Sequence, residues 1–274
     1  MRLGVLFAGE GVGALGAIGL LRALERRGMD VHAVCGMGAG AYPAALWACG
    51  MTVSEMARAA DAIAMEGGRL LDYARAKLLA GNGDALIQGR RVSRLLLAHT
   101  RGLAIRACLR PAAFVCMAIS SRRTVVFSPQ AEQNASAVWT DHAPVWFAAR
   151  TALGAPPLLR PTSFIGIPLC AHPDAREGVR ALYQLGATHV ASVYPVYVRS
   201  VPKTPVDLFA WEAGVTLDRT LTHTQQIRVT LPDFVAPLGF DAIPACIRAG
   251  EQAGMGVERE AFASSAGKIL VLRR

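Results

Sequence analysis

Lysine is nearly absent from this chain: Lys77, Lys203 and Lys268 are the only three among 29 basic residues. Aromatics make up 7% and are not interleaved with the arginines, so the stacking platforms of nucleic-acid binders are missing and no nucleic-acid partner is expected. The six cysteines form no Cys-x-x-Cys pair and the six histidines no His-x-x-x-His pair. That pattern predicts neither a zinc site nor a secreted disulfide framework, and no metal or cofactor is expected. Long uninterrupted apolar runs are lacking too. Leu3 to Leu21 comes nearest, but Glu10 and several glycines break it, and no small-residue cleavage pattern follows. A soluble cytoplasmic chain is the expectation, in which the sequon Asn134-Ala135-Ser136 carries no meaning. Internal repeats and low-complexity linkers are also absent. With 274 residues, 53% of them hydrophobic, the chain is long enough for one large core.

What is present begins with a strand, a glycine loop and a helix. Leu3 to Phe7 has strand length, and Ala8-Gly9-Glu10-Gly11-Val12-Gly13 is a loop suited to a glycine backbone. Ala14 to Arg27 then carries Leu15, Ile18, Leu21 and Leu24 at helical spacing and stops at Gly28. Val31 to Cys35 reads as a second strand, and Ala39 to Ala48 as a helix stopped by Gly50. Gly11-x-Gly13-x-x-Gly16 superficially fits a dinucleotide fingerprint. The acid that would hold the ribose should end the second strand, yet Asp30 precedes that strand and Cys35 ends it.

Between strand and helix lies Cys35-Gly36-Met37-Gly38-Ala39-Gly40. Serine hydrolases use Gly-x-Ser-x-Gly to turn a strand sharply into a helix and expose the serine. Here the flanking glycines Gly36 and Gly40 are in place, and Gly38 stands where the serine would be.

Together these stretches resemble the opening of the patatin-like phospholipase family: LFAGEGVGALGAIGLLRAL (6–24) its oxyanion loop and helix, VCGMGAGAYPAALWACG (34–50) its elbow. The likeness continues in order through Pro111–Phe127, Ala148–Pro161, Gly186–Pro195 and Leu231–Gly254. It implies a three-layer α/β/α fold with a central, mostly parallel sheet, forming a single patatin-like domain over 1–274. It also implies an oxyanion loop at Gly9, Gly11, Val12 and Gly13 and serine acyl-hydrolase chemistry.

Three departures bear on that chemistry. Glycine at 38 has no atom with which to attack a carbonyl. The family's aspartate falls at Cys170, or in another register at Ile165-Gly166-Ile167; Asp174 is the nearest carboxylate but does not rebuild the motif. In the loop, Gly13 replaces the family's basic residue, Ala14 the following glycine and Glu10 a middle glycine. A carboxylate about 4 Å from a developing oxyanion costs on the order of 4 kcal/mol at an effective dielectric near 20, roughly a thousandfold in rate. The sequence allows Glu10 to face either the site or solvent.

A relocated nucleophile would draw on Cys35, Cys170 and His172. The other reading makes both cysteines small buried apolar residues, with Cys170 and His172 expected on opposite sides of a strand. Ser120, Ser121, Ser128, Ser136 and Ser163 lack elbow glycines and read as turn or surface residues.

Charge is concentrated between Arg69 and Arg123, where eleven basic residues face two acids (11 − 2 = +9, the net charge of the whole chain). Arg90, Arg91, Arg94, Arg101, Arg106 and Arg110 surround the apolar Leu95, Leu96 and Leu97. One reading is peripheral contact with anionic lipid headgroups at the inner face of a membrane, each basic residue contributing about 1 kcal/mol. The other is a solvated helix face in an arginine-rich chain.

The leading expectation is therefore a non-hydrolytic protein that holds a lipid or acyl chain and acts as a binder or regulator in lipid metabolism. The first alternative is an acyl-ester hydrolase with a relocated nucleophile. The second is a structural or interaction protein whose pocket is filled by Met37, Trp139 and Trp146. No particular protein partner is indicated.

Overall fold

The computed structural model describes residues 1–73, 85–130, 137–197, 204–222 and 224–257. The sequon and the three lysines lie outside them. Nine strands belong to one sheet: β1 (Leu3–Phe7), β2 (Val31–Gly36), β3 (Ala112–Ala118), β4 (Thr124–Phe127), β5 (Ala137–Thr140), β6 (Thr162–Phe164), β7 (Ile167–Ala171), β8 (His189–Tyr197) and β9 (Gln225–Leu231). Seven follow the order β5-β4-β3-β2-β1-β8-β9, while the hairpin β6–β7 attaches through β7 to β3. All neighbours along the main path are parallel except β3 and β4. The eight helices of the described residues are α1 (Gly16–Arg26), α2 (Ala41–Ala48), α3 (Val53–Glu66), α4 (Arg90–Thr100), α5 (Val145–Ala152), α6 (Arg176–Gln184), α7 (Pro205–Thr220) and α8 (Ile243–Met255). None is long and apolar enough to cross a membrane.

Alternation along β1 divides the core between the two faces of the sheet. Leu3, Val5 and Phe7 pack with Ile18, Leu46 and Ile247 from α1, α2 and α8. Leu6 and Ala8 pack on the other face with Val179, Leu182 and Leu217 from α6 and α7. Helices thus cover both faces of a mostly parallel sheet, which is the three-layer α/β/α architecture expected from the sequence.

The expected helices begin later than their apolar pattern suggests. Val12–Leu15 and Gly38–Gly40 form 3₁₀ turns ahead of α1 and α2. Both loops bend back against neighbouring backbone, and the tighter winding takes up that bend.

One feature of β3 positions the site. On one edge it pairs with β4 at Phe114–Met117. Its opposite edge is shared end to end: β2 pairs at Ala112–Phe114 and β7 at Cys116–Ala118. The end of β2, where the glycine turn starts, therefore meets the end of β7 at Cys170 and Ala171.

Helix α1, which follows the Val12–Leu15 turn, packs on α8 backbone to backbone. A Cβ on Gly19 would lie 1.8 Å from the Ile247 carbonyl oxygen, and one on Gly250 would lie 1.8 Å from that of Gly16. Arg22 and Arg26 of α1 also bind the Glu251 carboxylate of α8. Because backbone cannot yield as a side-chain tip does, Gly19→Ala is expected to cost about 3 kcal/mol or more, at the upper end of overpacking penalties. Gly68→Ala, with nothing within 4 Å of its Cβ, should stay within about 0.5 kcal/mol of wild type. Urea unfolding of the two variants checks this, and equal midpoints would contradict it.

Candidate functional site

The turn after β2 has the backbone of a nucleophile elbow. Met37 is extended (φ −136°, ψ 142°) and Gly38 takes φ +56°, the left-handed region that side chains resist. The flanking glycines are required by close packing. A Cβ on Gly36 would lie 2.6 Å from Ala41 Cα, and one on Gly40 2.3 Å from the Phe7 carbonyl oxygen.

The space above Gly38 is taken. A Cβ there would lie 2.5 Å from Glu10 Oε1 and 2.7 Å from the Gly9 carbonyl oxygen. Of the two orientations open to Glu10, the structure adopts the inward one: its carboxylate occupies the volume a nucleophile's side chain would need. It is partly buried, and loss of hydration pushes its pKa up to about 8.

The glycine loop has the expected shape, with Gly9 at φ +102° and Gly11 at φ +72°, but its donors point elsewhere. The Val12 N–H donates to the Pro237 carbonyl (2.8 Å) and the Gly13 N–H to the Tyr197 hydroxyl (3.2 Å). Tyr197 in turn donates to the Glu10 carbonyl oxygen (2.8 Å). In serine hydrolases the N–H following the nucleophile is a principal oxyanion donor. Here that group, on Ala39, donates to the Gly9 carbonyl (2.8 Å). Three donors available to an oxyanion hole are thus engaged within the protein. Gly11, Val12 and Gly13 line no part of the cavity described below, whereas Gly9 and Gly38 do.

That cavity, about 540 Å³, lies between the turn, the end of β7 and one face of α7, within the usual size range for ligand pockets. Cys170, Ala171 and His172 form one wall, and none is an acid. Asp174 is outside, held by Arg176 at 2.7–3.0 Å. Ile165-Gly166 is the tip of the β6–β7 hairpin, with Ile165 83% exposed. Met37 lines the cavity, but Trp139 and Trp146 do not. Trp139 is buried in the core on the α6 side, and Trp146 packs edge-on against Phe147 on the opposite side. The expectation that these tryptophans fill the pocket is therefore corrected.

Cys170 and His172 line the same cavity rather than facing opposite ways, as strand side chains two residues apart share a face. They do not form a nucleophile–base pair. The Asp174 N–H donates to His172 Nδ1 (3.1 Å), leaving the ring proton on Nε2, which lies 3.2 Å from Thr124 Oγ1. Burial lowers the His172 pKa and raises that of the Cys170 thiol, which keeps both neutral. Cys35 is fully buried, with its thiol pushed up by desolvation. Of the serines, Ser128 is fully buried rather than superficial.

The arginines of the basic segment line no part of the cavity. Helix α4 starts where the Asp72 carboxylate accepts the Gly89 and Arg90 N–H groups (2.7 and 2.9 Å). Arg90, Arg91, Arg94, Arg101 and Arg106 are exposed. Arg110 instead lies over the Trp47 ring at 5.2 Å and donates to the Met51 carbonyl (3.2 Å).

Sequence reasoning missed Tyr197, Pro237 and the α7 wall. The wall had a signal: Thr204 and Asp207 form a capping box around Pro205. Phe209, Glu212, Ala213, Thr216 and Leu217 follow at helical spacing, and all line the cavity. Among the described residues, no group of three His, Cys, Asp or Glu is placed to hold a metal ion.

No protein-family model and no curated protein matches this chain. Solved structures do. VipD from Legionella pneumophila superimposes with a TM-score of 0.52 at 10% identity, over 96% of this chain and 67% of VipD. The type III effector protein ExoU gives a TM-score of 0.41 at 14% identity, over 97% of this chain and 53% of ExoU. At such identity the likeness to VipD is one of fold: a mostly parallel sheet between two helical layers, running through nearly all of this chain.

Proposed function

We propose that this chain is a patatin-like protein, a single domain over 1–274, that holds a lipid or acyl-chain ligand in the cavity over the glycine turn without hydrolysing it there. The observation that carries this reading is the Glu10 carboxylate in the nucleophile's seat, 2.5 Å from any Cβ at position 38. The engaged Val12, Gly13 and Ala39 N–H groups support it from a second direction, since acyl transfer needs donors aimed at the developing oxyanion. The tautomer of His172 speaks against a cysteine hydrolase at Cys170. An open cavity of about 540 Å³ favours ligand binding over a filled, purely structural pocket. Such a protein would act by sequestering or sensing its ligand in lipid metabolism, in the cytoplasm or at the inner face of a membrane. The exposed arginines of α4 and its surroundings suit the latter place.

Hydrolysis of short-chain nitrophenyl esters and phospholipids by the purified protein should not exceed the buffer rate. Turnover above it that disappears in Cys170→Ala or Cys35→Ala would defeat the proposal.

Restoring the serine alone should fail for a steric reason. Gly38→Ser combines a left-handed backbone with the Glu10 contact and is expected to lose about 2–4 kcal/mol. Adding Glu10→Gly should recover about 1 kcal/mol or more beyond additivity in a double-mutant cycle. Strict additivity would mean that the two positions do not share space.

The raised Glu10 pKa also sets a pH dependence. Between pH 4.5 and about 8 the folded state keeps a proton that the unfolded chain has lost. This favours the fold at low pH, and stability falls as pH rises through the window. Allowing for partial exposure, the total is on the order of 3 kcal/mol. Glu10→Gln should therefore gain on wild type progressively from pH 5 to pH 8.5 in urea melts. Parallel pH profiles would show that Glu10 ionises normally.

A further inference from the structure

Although the chain carries a net charge of +9, no lysine or arginine among the described residues lines the cavity at the glycine turn. Its ionisable lining groups are Glu10, Glu212, His172 and Cys170. His172 accepts the Asp174 N–H at Nδ1 and stays neutral, and burial keeps the Cys170 thiol protonated. Among the described lining groups, formal charge therefore comes from carboxylates. The Glu10 carboxylate accepts no hydrogen bond and forms no ion pair among the described residues, although it projects over Gly38 into the space of the site.

The groups that would receive an anion have been withdrawn. The N–H groups of Val12, Gly13 and Ala39 are held by Pro237, Tyr197 and Gly9. A fatty-acid carboxylate or phosphodiester entering the cavity would find no cation among the described residues and, once Glu10 ionises above pH about 8, a like charge beside Gly38. The remaining wall is apolar, with Met37, Met117, Ile119, Phe209 and Leu217 prominent. Past Phe209 and Glu212 a second apolar trough continues along Pro157, Leu158, Val206 and Leu208.

We propose that this cavity binds cationic amphiphiles, with an ammonium-type head at the Glu10 carboxylate and an alkyl chain along the Met117–Phe209–Leu217 wall. The assignment rests on the ligand-holding reading above and gives it a charge. It requires hydrogen-bond donors on the ligand and acceptors on the protein, the reverse of an oxyanion site. An ammonium group offers such donors, and an unpartnered carboxylate at the end of an apolar cavity is their natural complement.

Three probes with one alkyl chain and different heads test this: decylamine, decanol and decanoate, titrated calorimetrically below their aggregation limits. At pH 8.5 Glu10 is mostly ionised, decylamine is still protonated and decanoate is charged. Decylamine should bind at least about tenfold more tightly than decanoate, with decanol between them. Glu10→Gln, and more so Glu10→Gln with Glu212→Gln, should remove that preference, bringing the decylamine and decanoate affinities to within about threefold of each other. The surface cannot mimic this result, because a net positive protein attracts decanoate and repels decylamine. Decanoate binding as tightly as decylamine would overturn the charge assignment and leave the acyl pocket standing. An amine preference that survives both substitutions would also overturn it. Failure of all three probes to bind would end the assignment together with the ligand-holding reading.

Discussion

The Glu10 side chain and any side chain at position 38 compete for one volume, and the character of the site follows from which one holds it. In a working elbow the strained central residue projects into open space between the loop and the acid. Here the left-handed backbone at Gly38 remains, while the carboxylate from the facing loop fills that space. The Gly9 carbonyl oxygen, 2.7 Å from a Cβ at position 38, cannot swing aside as the Glu10 tip can, so backbone as well as carboxylate crowds this volume. Electrostatics then reinforces the outcome, because a carboxylate beside the nucleophile's seat opposes the negative charge that acyl transfer develops.

The cavity does not depend on that chemistry. It is placed by β3, whose single edge pairs first with β2 and then with β7, and by the packing of α7 across their ends. Both are properties of sheet register and helix faces, and neither involves position 38 or Glu10. Catalytic groups can therefore change while an open apolar cavity persists at the carboxyl end of β2, where open α/β sheets commonly bind ligands.

Much of the architecture was legible because it rests on local signals. The Leu3–Phe7 strand, the Leu15–Ile18–Leu21–Leu24 spacing of the first helix and the paired glycines of the turn each state their structure within a few residues. The left-handed turn at Gly38 was legible for the same reason. The orientation of Glu10 was not, because it depends on what lies across the loop, and neither was the fate of the loop N–H groups. Their acceptors, Tyr197 and Pro237, are more than 180 residues away in the chain. The placing of Trp139 and Trp146 failed similarly: an apolar ring states that it will be buried, but not in which layer. Cys170 and His172, expected on opposite sides, share one side because residues two apart on a strand face the same way. Their hydrogen bonds, set by Asp174 and Thr124, then deny them a shared proton.

The engaged N–H groups add a second feature to the absence of a serine at position 38. Had only position 38 changed, an oxyanion hole would remain beside an empty seat, and such a hole alone can accelerate acyl chemistry roughly 10³–10⁴-fold over water. In this protein Tyr197 accepts from Gly13 and donates to the Glu10 carbonyl, tying the loop to β8 at both ends of one hydroxyl. Pro237 closes the Val12 N–H from the segment after β9. Freeing those donors would require moving Tyr197 in β8 and the segment after β9 that carries Pro237. A pocket whose donors are bound into the fold and whose acceptors are left open is suited to receiving hydrogen-bond donors. That arrangement supports the proposed binding of a donor head group over ester hydrolysis.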